Sequence, residues 1–189
     1  MRVTIVGTEG RLGHSLAALY REDGHVVREI ALRPNTSADA IVERIAGEPI
    51  DLLIFTDEYE APDRRIADVT RAELRAGLER LTFMPFRIAA LLRPALAAGD
   101  DPKLVLVTRR SATMEHADIA GRYLERPFRA AAHQLWRCLA VEWREFGIDC
   151  RVVAIDDPQD DAAMGRLPRI IAENGAAEFV DDRGRPLRW

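Results

Sequence analysis

The sequence predicts an α/β fold: a doubly wound parallel sheet of about six to seven strands with helices on both faces, in one domain spanning residues 1–189. Three observations predict it. Short apolar runs alternate with segments of helical periodicity along the chain. The first strand-to-helix junction carries three closely spaced glycines. No internal repeat, low-complexity stretch or linker breaks the alternation.

The elements follow in order. Val3–Val6 is an apolar run ending at Gly7 and reads as a buried parallel strand. Leu12, Leu16, Leu19 and Tyr20 recur at helical spacing until Gly24. Val26–Leu32 is a second strand, ended by Pro34. Thr36-x-x-Asp39 predicts a helix start, with Ile41, Val42 and Ile45 on one face and Gly47 closing it. "IDLLIF" (50–55) is an uninterrupted strand. Thr70-x-x-Glu73 is a capping box opening a long helix through about Ala98, with a kink expected at Pro85. "KLVLV" (103–107) is the next strand. Pro127 fits the first turn of another helix, with Phe128, Ala131, Leu135, Leu139, Glu142 and Phe146 along one side and Gly147 at its end. "CRVVAI" (150–155) and "AEFV" (177–180) are the last strands.

Composition narrows the function classes. No apolar run approaches the roughly 18 residues that span a bilayer, and Met1 leads within two residues into a strand, so a cytoplasmic protein without membrane contact is expected. A net charge of −4 disfavours a sequence-independent grip on nucleic acid. Cys138 and Cys150 lack metal-ligand spacing and read as buried thiols. Of 27 basic residues only Lys103 is a lysine, so any mechanism that needs a lysine has one candidate.

In "VGTEGRLGHSLA" the glycines Gly7, Gly10 and Gly13 stand at G-x-x-G-x-x-G spacing between the first strand and first helix. A tight turn, close backbone approach to a pyrophosphate and close helix–strand packing each ask for glycine there, and the helix presents its positive end to the anion. The turn therefore predicts a Rossmann-like dinucleotide site for NAD(P), contacted by Gly7, Gly10, Arg11, Leu12 and Gly13, with Thr56 after the third strand. Glu29 lies mid-strand, whereas Arg33 stands just past the end of the second strand and leans the choice toward NADP(H). The site is either working or vestigial.

With the glycine turn, the 70–98 helix and "RAAAHQLWRCLAVEWREFGIDCRVVAI" in view, the chain resembles the short-chain dehydrogenase/reductase family, in order and over nearly its whole length. The glycine spacing is nearer the family's extended and atypical branches. The resemblance implies a Rossmann-type fold, NAD(P) binding and carbonyl–alcohol chemistry by a tyrosine, a lysine four residues later, a serine and an asparagine. Counting back from "LAVEW" puts Glu125 at the tyrosine position and Arg129 at the lysine position. Ser111 or Ala112 falls where the serine belongs, and Leu81 where the asparagine belongs. Tyr123 is two residues from the expected place and serves only if the segment before Pro127 is not yet helical. Lys103 belongs to the opposite end of the sheet, and an arginine does not replace a lysine freely. One strand–helix unit is missing between the second strand and "IDLLIF", and the segment between 155 and 177 is short for a substrate cover.

The polar residues left at the carboxyl ends of the middle strands are Asp57, Glu58, Ser111, Thr113, His116, Tyr123, Glu125 and Arg129. Glu125–Arg129 reads as a surface i,i+4 pair contributing under about 1 kcal/mol, or as a general base with an anion clamp. Arg109, Arg110, Arg122 and Arg126 read as a solvated loop or an anion site; His14 and His133 read as packing or solvent residues. Candidate catalytic side chains are thus Glu125, Asp57, Tyr123, Arg129 and Ser111. In the family the two long helices form a dimer interface, and Trp136 and Trp143 on opposite helical sides point to a homodimer or a heterodimer with a relative. Two functions stay open: a binding or partner protein without the standard catalytic set, and a repurposed acid–base enzyme or unusual oxidoreductase.

Overall fold

The structure is a computed structural model and describes residues 1–33, 36–45, 47–56, 59–113, 121–173 and 178–188. Six strands form one parallel sheet: β1 (Arg2–Val6), β2 (Val26–Ile30), β3 (Leu52–Thr56), β4 (Lys103–Arg109), β5 (Asp149–Ile155) and β6 (Phe179–Asp181). Their order is β2-β1-β3-β4-β5-β6, so the direction of winding reverses between β1 and β3. A ligand crevice opens at such a reversal, outside the carboxyl ends of the strands. The missing strand–helix unit leaves β2 as the edge of the sheet.

Helices α1 (Arg11–Glu22) and α6 (Asp161–Ala172) cover one face, where Ile5, Ile54, Val105 and Val153 meet Leu16 and Leu167. Helices α2 (Ala38–Glu43), α4 (Met84–Ala97) and α5 (Arg126–Glu142) cover the other, where Leu53, Phe55, Leu104 and Val152 meet Ile41, Ile88 and Trp136. Successive strand residues thus feed alternate cores, which is why the strands read as unbroken apolar runs. The sequence left α6 unassigned; Asp160 caps it by accepting from the Ala162 N–H at 2.9 Å. Ser37, not Thr36, caps α2, because its hydroxyl accepts from the Ala40 N–H.

The capping box is present: the Thr70 hydroxyl accepts from the Glu73 N–H and the Glu73 carboxylate from the Thr70 N–H, opening α3 (Arg71–Leu78). The expected single kinked helix is instead α3, a π-helical turn over Glu79–Phe83, and α4 with Pro85 in its first turn. A wide turn just before the proline accommodates the ring that would clash with the carbonyl four residues back.

Two features of α5 correct the sequence reading. Its buried stripe is Arg129, Ala132, His133, Trp136, Leu139 and Ala140, one row around from the predicted side, because a charged and a titratable residue sit on the inner face with partners of their own. Trp136 and Trp143 are 0% and 2% exposed and both join one core, with Trp136 edge-on to Phe55. They offer no aromatic surface to a partner helix. Cys150 is buried as expected, but Cys138 is exposed.

The glycine turn is fixed by contact. Gly7 has φ +103, and a Cβ there would lie 2.1 Å from the Thr56 carbonyl oxygen; one at Gly13 would lie 2.5 Å from the Gly7 carbonyl oxygen. Gly24 also has positive φ (+79), with nothing within 4 Å of its added Cβ. Gly7→Ala therefore combines a left-handed backbone penalty with a backbone clash and should destabilise by about 3 kcal/mol or more, lowering Tm by roughly 6–12 °C. Gly24→Ala should lose only about 1–2 kcal/mol. Equal shifts in thermal melts of the two variants would contradict this packing.

Candidate functional site

The crevice begins at the turn between β1 and α1. The Thr56 hydroxyl donates to the Gly7 carbonyl at 2.8 Å, binding the end of β3 to the turn. Thr56 is buried and its hydroxyl serves the turn's own backbone. Gly10 is the N-cap of α1, in ordinary extended geometry, and the first turn carries no acid. Leu12 is a core residue. Arg11 reaches away from the turn to the carbonyl and side chain of Gln159 and to Asp161, joining α1 to the start of α6.

Past the end of β2 lies a groove of about 1100 Å³, lined by Leu32, exposed Arg33, Thr36, Ser37, Tyr59 and Arg80 among others. Glu9, inside the glycine turn, and Arg80, from the π-helical turn, form an ion pair here that the sequence reading missed. The other Glu9 oxygen accepts from the Leu32 N–H at 2.8 Å, and Arg80 donates to the Leu32 carbonyl at 2.9 Å. An acid within a phosphate-type loop was a visible oddity; Arg80, 71 residues later, carried no signal.

The other end of the crevice is built on charge. Glu125 precedes α5 with φ −126 and ψ −62, and Arg126 is the first helical residue. Glu125 and Arg129 are 4% and 3% exposed. Arg129 donates to a Glu125 oxygen at 2.7 Å and to the Tyr59 carbonyl at 2.6 Å; the other Glu125 oxygen accepts from the Ala61 N–H at 2.7 Å. The expected surface pair is therefore a buried clamp that fastens the chain after β3 to the head of α5. Space around it is small: a void of about 10 Å³ touching Thr56, Leu81 and Arg129, room for about one water, and a hollow of about 140 Å³ beside Glu125, Ala61 and Arg122.

The remaining candidates spread outward. The segment before Arg126 is a turn, as Tyr123 required, yet Tyr123 is 37% exposed and lines a shallow hollow with Asp63 and Arg64. Ser111 lies in the 3-10 turn Arg110–Ala112 directly after β4, which packs against α5. Thr113 is buried with no hydrogen-bond partner for its hydroxyl among the described residues. Asp57, Glu58 and His116 lie outside the described residues. Lys103 begins β4 at the amino end of the sheet and pairs with Asp101 at 2.9 Å. Arg109, Arg110 and Arg122 face Glu60, Asp156 and Glu125. His14 is exposed near Glu29. His133 is buried 3.1 Å from the Thr108 hydroxyl, and burial, helped by the Arg129 charge, pushes it down to about 4, so it stays neutral near pH 7. Among the described residues no three His, Cys, Asp or Glu side chains gather as a metal site, and no helix is long and apolar enough to cross a membrane.

Removing one member of a buried pair strands the other charge. Glu125→Gln and Arg129→Met should each destabilise by about 3–5 kcal/mol in urea unfolding, and the double variant should recover a large part of that loss. Two single losses under about 1 kcal/mol would return the pair to the surface class.

No family model matches the sequence, and no curated protein matches it. Solved structures match over the whole chain. A short-chain alcohol dehydrogenase described as putative, from Burkholderia multivorans, superposes with a TM-score of 0.82 at 19% identity, covering 100% of this chain and 99% of that one. The carbonyl reductase Sniffer of D. melanogaster gives 0.81 at 18%, with the same coverage. A Pseudomonas aeruginosa carbonyl reductase in complex with NADP gives 0.77 at 18%, again covering 100% and 99%. The backbone path, strand order and glycine turn place the chain in one architecture: it has the fold of the short-chain dehydrogenases/reductases.

Proposed function

We propose that this chain is an NADP(H)-binding protein of the short-chain dehydrogenase/reductase fold that does not carry out carbonyl reduction and acts as a binding or partner protein. The observation that carries the reading is the buried Glu125–Arg129 clamp. It stands where the family resemblance puts the proton-donating tyrosine and its lysine, and both Glu125 oxygens already accept hydrogen bonds from the protein. A proton-transfer residue must meet substrate and exchange partners in each cycle. Glu125 instead holds a loop.

The residues present fit a dinucleotide. The backbone groups of the Gly7–Gly13 turn stand at a helix start without a first-turn acid, and the turn is so tight that a Cβ at Gly7 or Gly13 would strike the carbonyl oxygen of Thr56 or of Gly7. Those backbone groups would hold the pyrophosphate, and the groove with Arg33, Thr36 and Ser37 the adenosine end. At about 1100 Å³ that groove has ligand dimensions, while the spaces beside the clamp are far smaller. Solved neighbours from B. multivorans and P. aeruginosa carry NADP. When bound, the nucleotide is a hydride carrier; here the chain's own residues bind and orient it. The second reading, a repurposed acid–base enzyme, is favoured by the 140 Å³ hollow against Glu125.

Calorimetry should give micromolar binding of NADPH, and a spectrophotometric assay over a panel of aldehydes and ketones should show no NADPH oxidation. Turnover that disappears in Tyr123→Phe or Glu125→Gln, with fold and binding kept, would overturn the non-reductase reading.

The chain is further proposed to pair through α4 and α5, with itself or with a relative. With both tryptophans internal, the support is Val141 on α5, 62% exposed, and the exposed Leu78 and Phe83 on α3 and the π-helical turn that lead into α4. Light scattering at micromolar concentration should give twice 21.2 kDa, or the sum with a co-expressed relative; a monomer in both settings would refute the pairing.

A further inference from the structure

We propose that Arg80 selects the phosphorylated dinucleotide by reading its additional phosphate, and that Glu9 is the competitor for Arg80 built into the same chain. This rests on the dinucleotide reading above and names the residues that decide which dinucleotide is held.

The geometry starts with the backbone. The π-helical turn Glu79–Phe83 breaks what would otherwise be one helix from Arg71 to Ala97. Such turns are rare and occur often at functional sites. This one delivers Arg80 into the groove past β2. There its guanidinium donates to the Leu32 carbonyl at 2.9 Å, pairs with Glu9, and stands 5.9 Å from the centre of the Tyr59 ring. Glu9 is anchored from the other side by the Leu32 N–H at 2.8 Å. Four segments thus meet at the end of β2: the glycine turn, the strand end, the Tyr59 segment and the π-helical turn. In a Rossmann-like sheet the end of the second strand is where a free ribose hydroxyl is told from a phosphorylated one.

Charge in the groove is balanced from within. Arg33, Arg80 and Arg87 face Glu9, Asp39 and Glu79. Arg80 is taken by Glu9, and Arg87 approaches Asp39 at 3.6 Å. A phosphate monoester entering the groove must therefore win Arg80 from Glu9. The exchange is open to it, because both side chains are part-exposed, at 27% and 34%. A surface ion pair is weak, and a guanidinium–phosphate pair with two parallel hydrogen bonds is stronger. A dinucleotide with an unmodified ribose brings no such anion and leaves the pair closed.

The test is calorimetric titration of wild type, Glu9→Gln and Arg80→Met with NADPH and with NADH, which differ only in that phosphate. Glu9→Gln keeps the acceptor for the Leu32 N–H, so the groove stays shaped while the competition is removed. NADPH affinity should rise roughly 5- to 10-fold in Glu9→Gln and fall roughly 10-fold or more in Arg80→Met, with NADH affinity moving less than about twofold in each. Both dinucleotides binding with an unchanged ratio in Glu9→Gln overturns the inference and leaves the dinucleotide reading intact. A ratio that follows Arg33→Ala instead of Arg80→Met also overturns it. No binding of either dinucleotide to wild type and Glu9→Gln overturns the inference and the reading together. If Arg80→Met fails to fold, the Glu9→Gln ratio alone decides.

Discussion

Three backbone segments come together at the carboxyl end of the sheet so closely that side chains are excluded, and that approach governs the crevice. β1 gives way to Gly7 with positive φ, α1 begins beyond Gly10, and Gly13 brings the helix down onto the turn while the Thr56 hydroxyl ties in β3. A surface made of peptide groups at a helix start is an anion cradle, and one nearly blind to the rest of the ligand. Selection must then come from side chains at the edges of the crevice. The winding reversal between β1 and β3 supplies those edges: the end of β2 on one side, the head of α5 on the other.

The two edges use charge in opposite ways. At the head of α5 a carboxylate and a guanidinium are almost wholly buried, each also satisfied by backbone groups of residues 59–61. Desolvating such groups is expensive unless every partner is in place, so the clamp is rigid once made. At the end of β2 the Glu9–Arg80 pair stays part-exposed and is anchored on one residue, Leu32. A buried pair fixes a loop; a part-exposed pair can change partners. Tyr59 belongs to both, with its carbonyl on Arg129 and its ring near Arg80.

Much of this fold was legible because it rests on local patterns. Apolar runs, the glycine turn, the Thr70 capping box and the place of Pro127 each follow from a few adjacent residues. What escaped depends on contacts distant in sequence. Hydrophobic periodicity put the inner face of α5 one row away, because Arg129 and His133 are held inside by polar partners, including ones 25 to 70 residues off. Trp136 and Trp143 looked like more aromatic surface than one core needs, yet residues 143–146 form a 3-10 turn, and both rings reach the same core. α6 was hidden by Pro168 within it. The positions of Glu125 and Arg129 were found by counting, but their burial was invisible, since it is set by chain from beyond β3.

A crystal structure of the protein grown with NADPH tests the central claim most directly. The account predicts the pyrophosphate on the Gly7–Gly13 turn, the adenosine end in the groove past β2, and the Glu125–Arg129 clamp closed as it is here. An empty crevice, or a clamp opened so that Glu125 faces the nicotinamide, would contradict it.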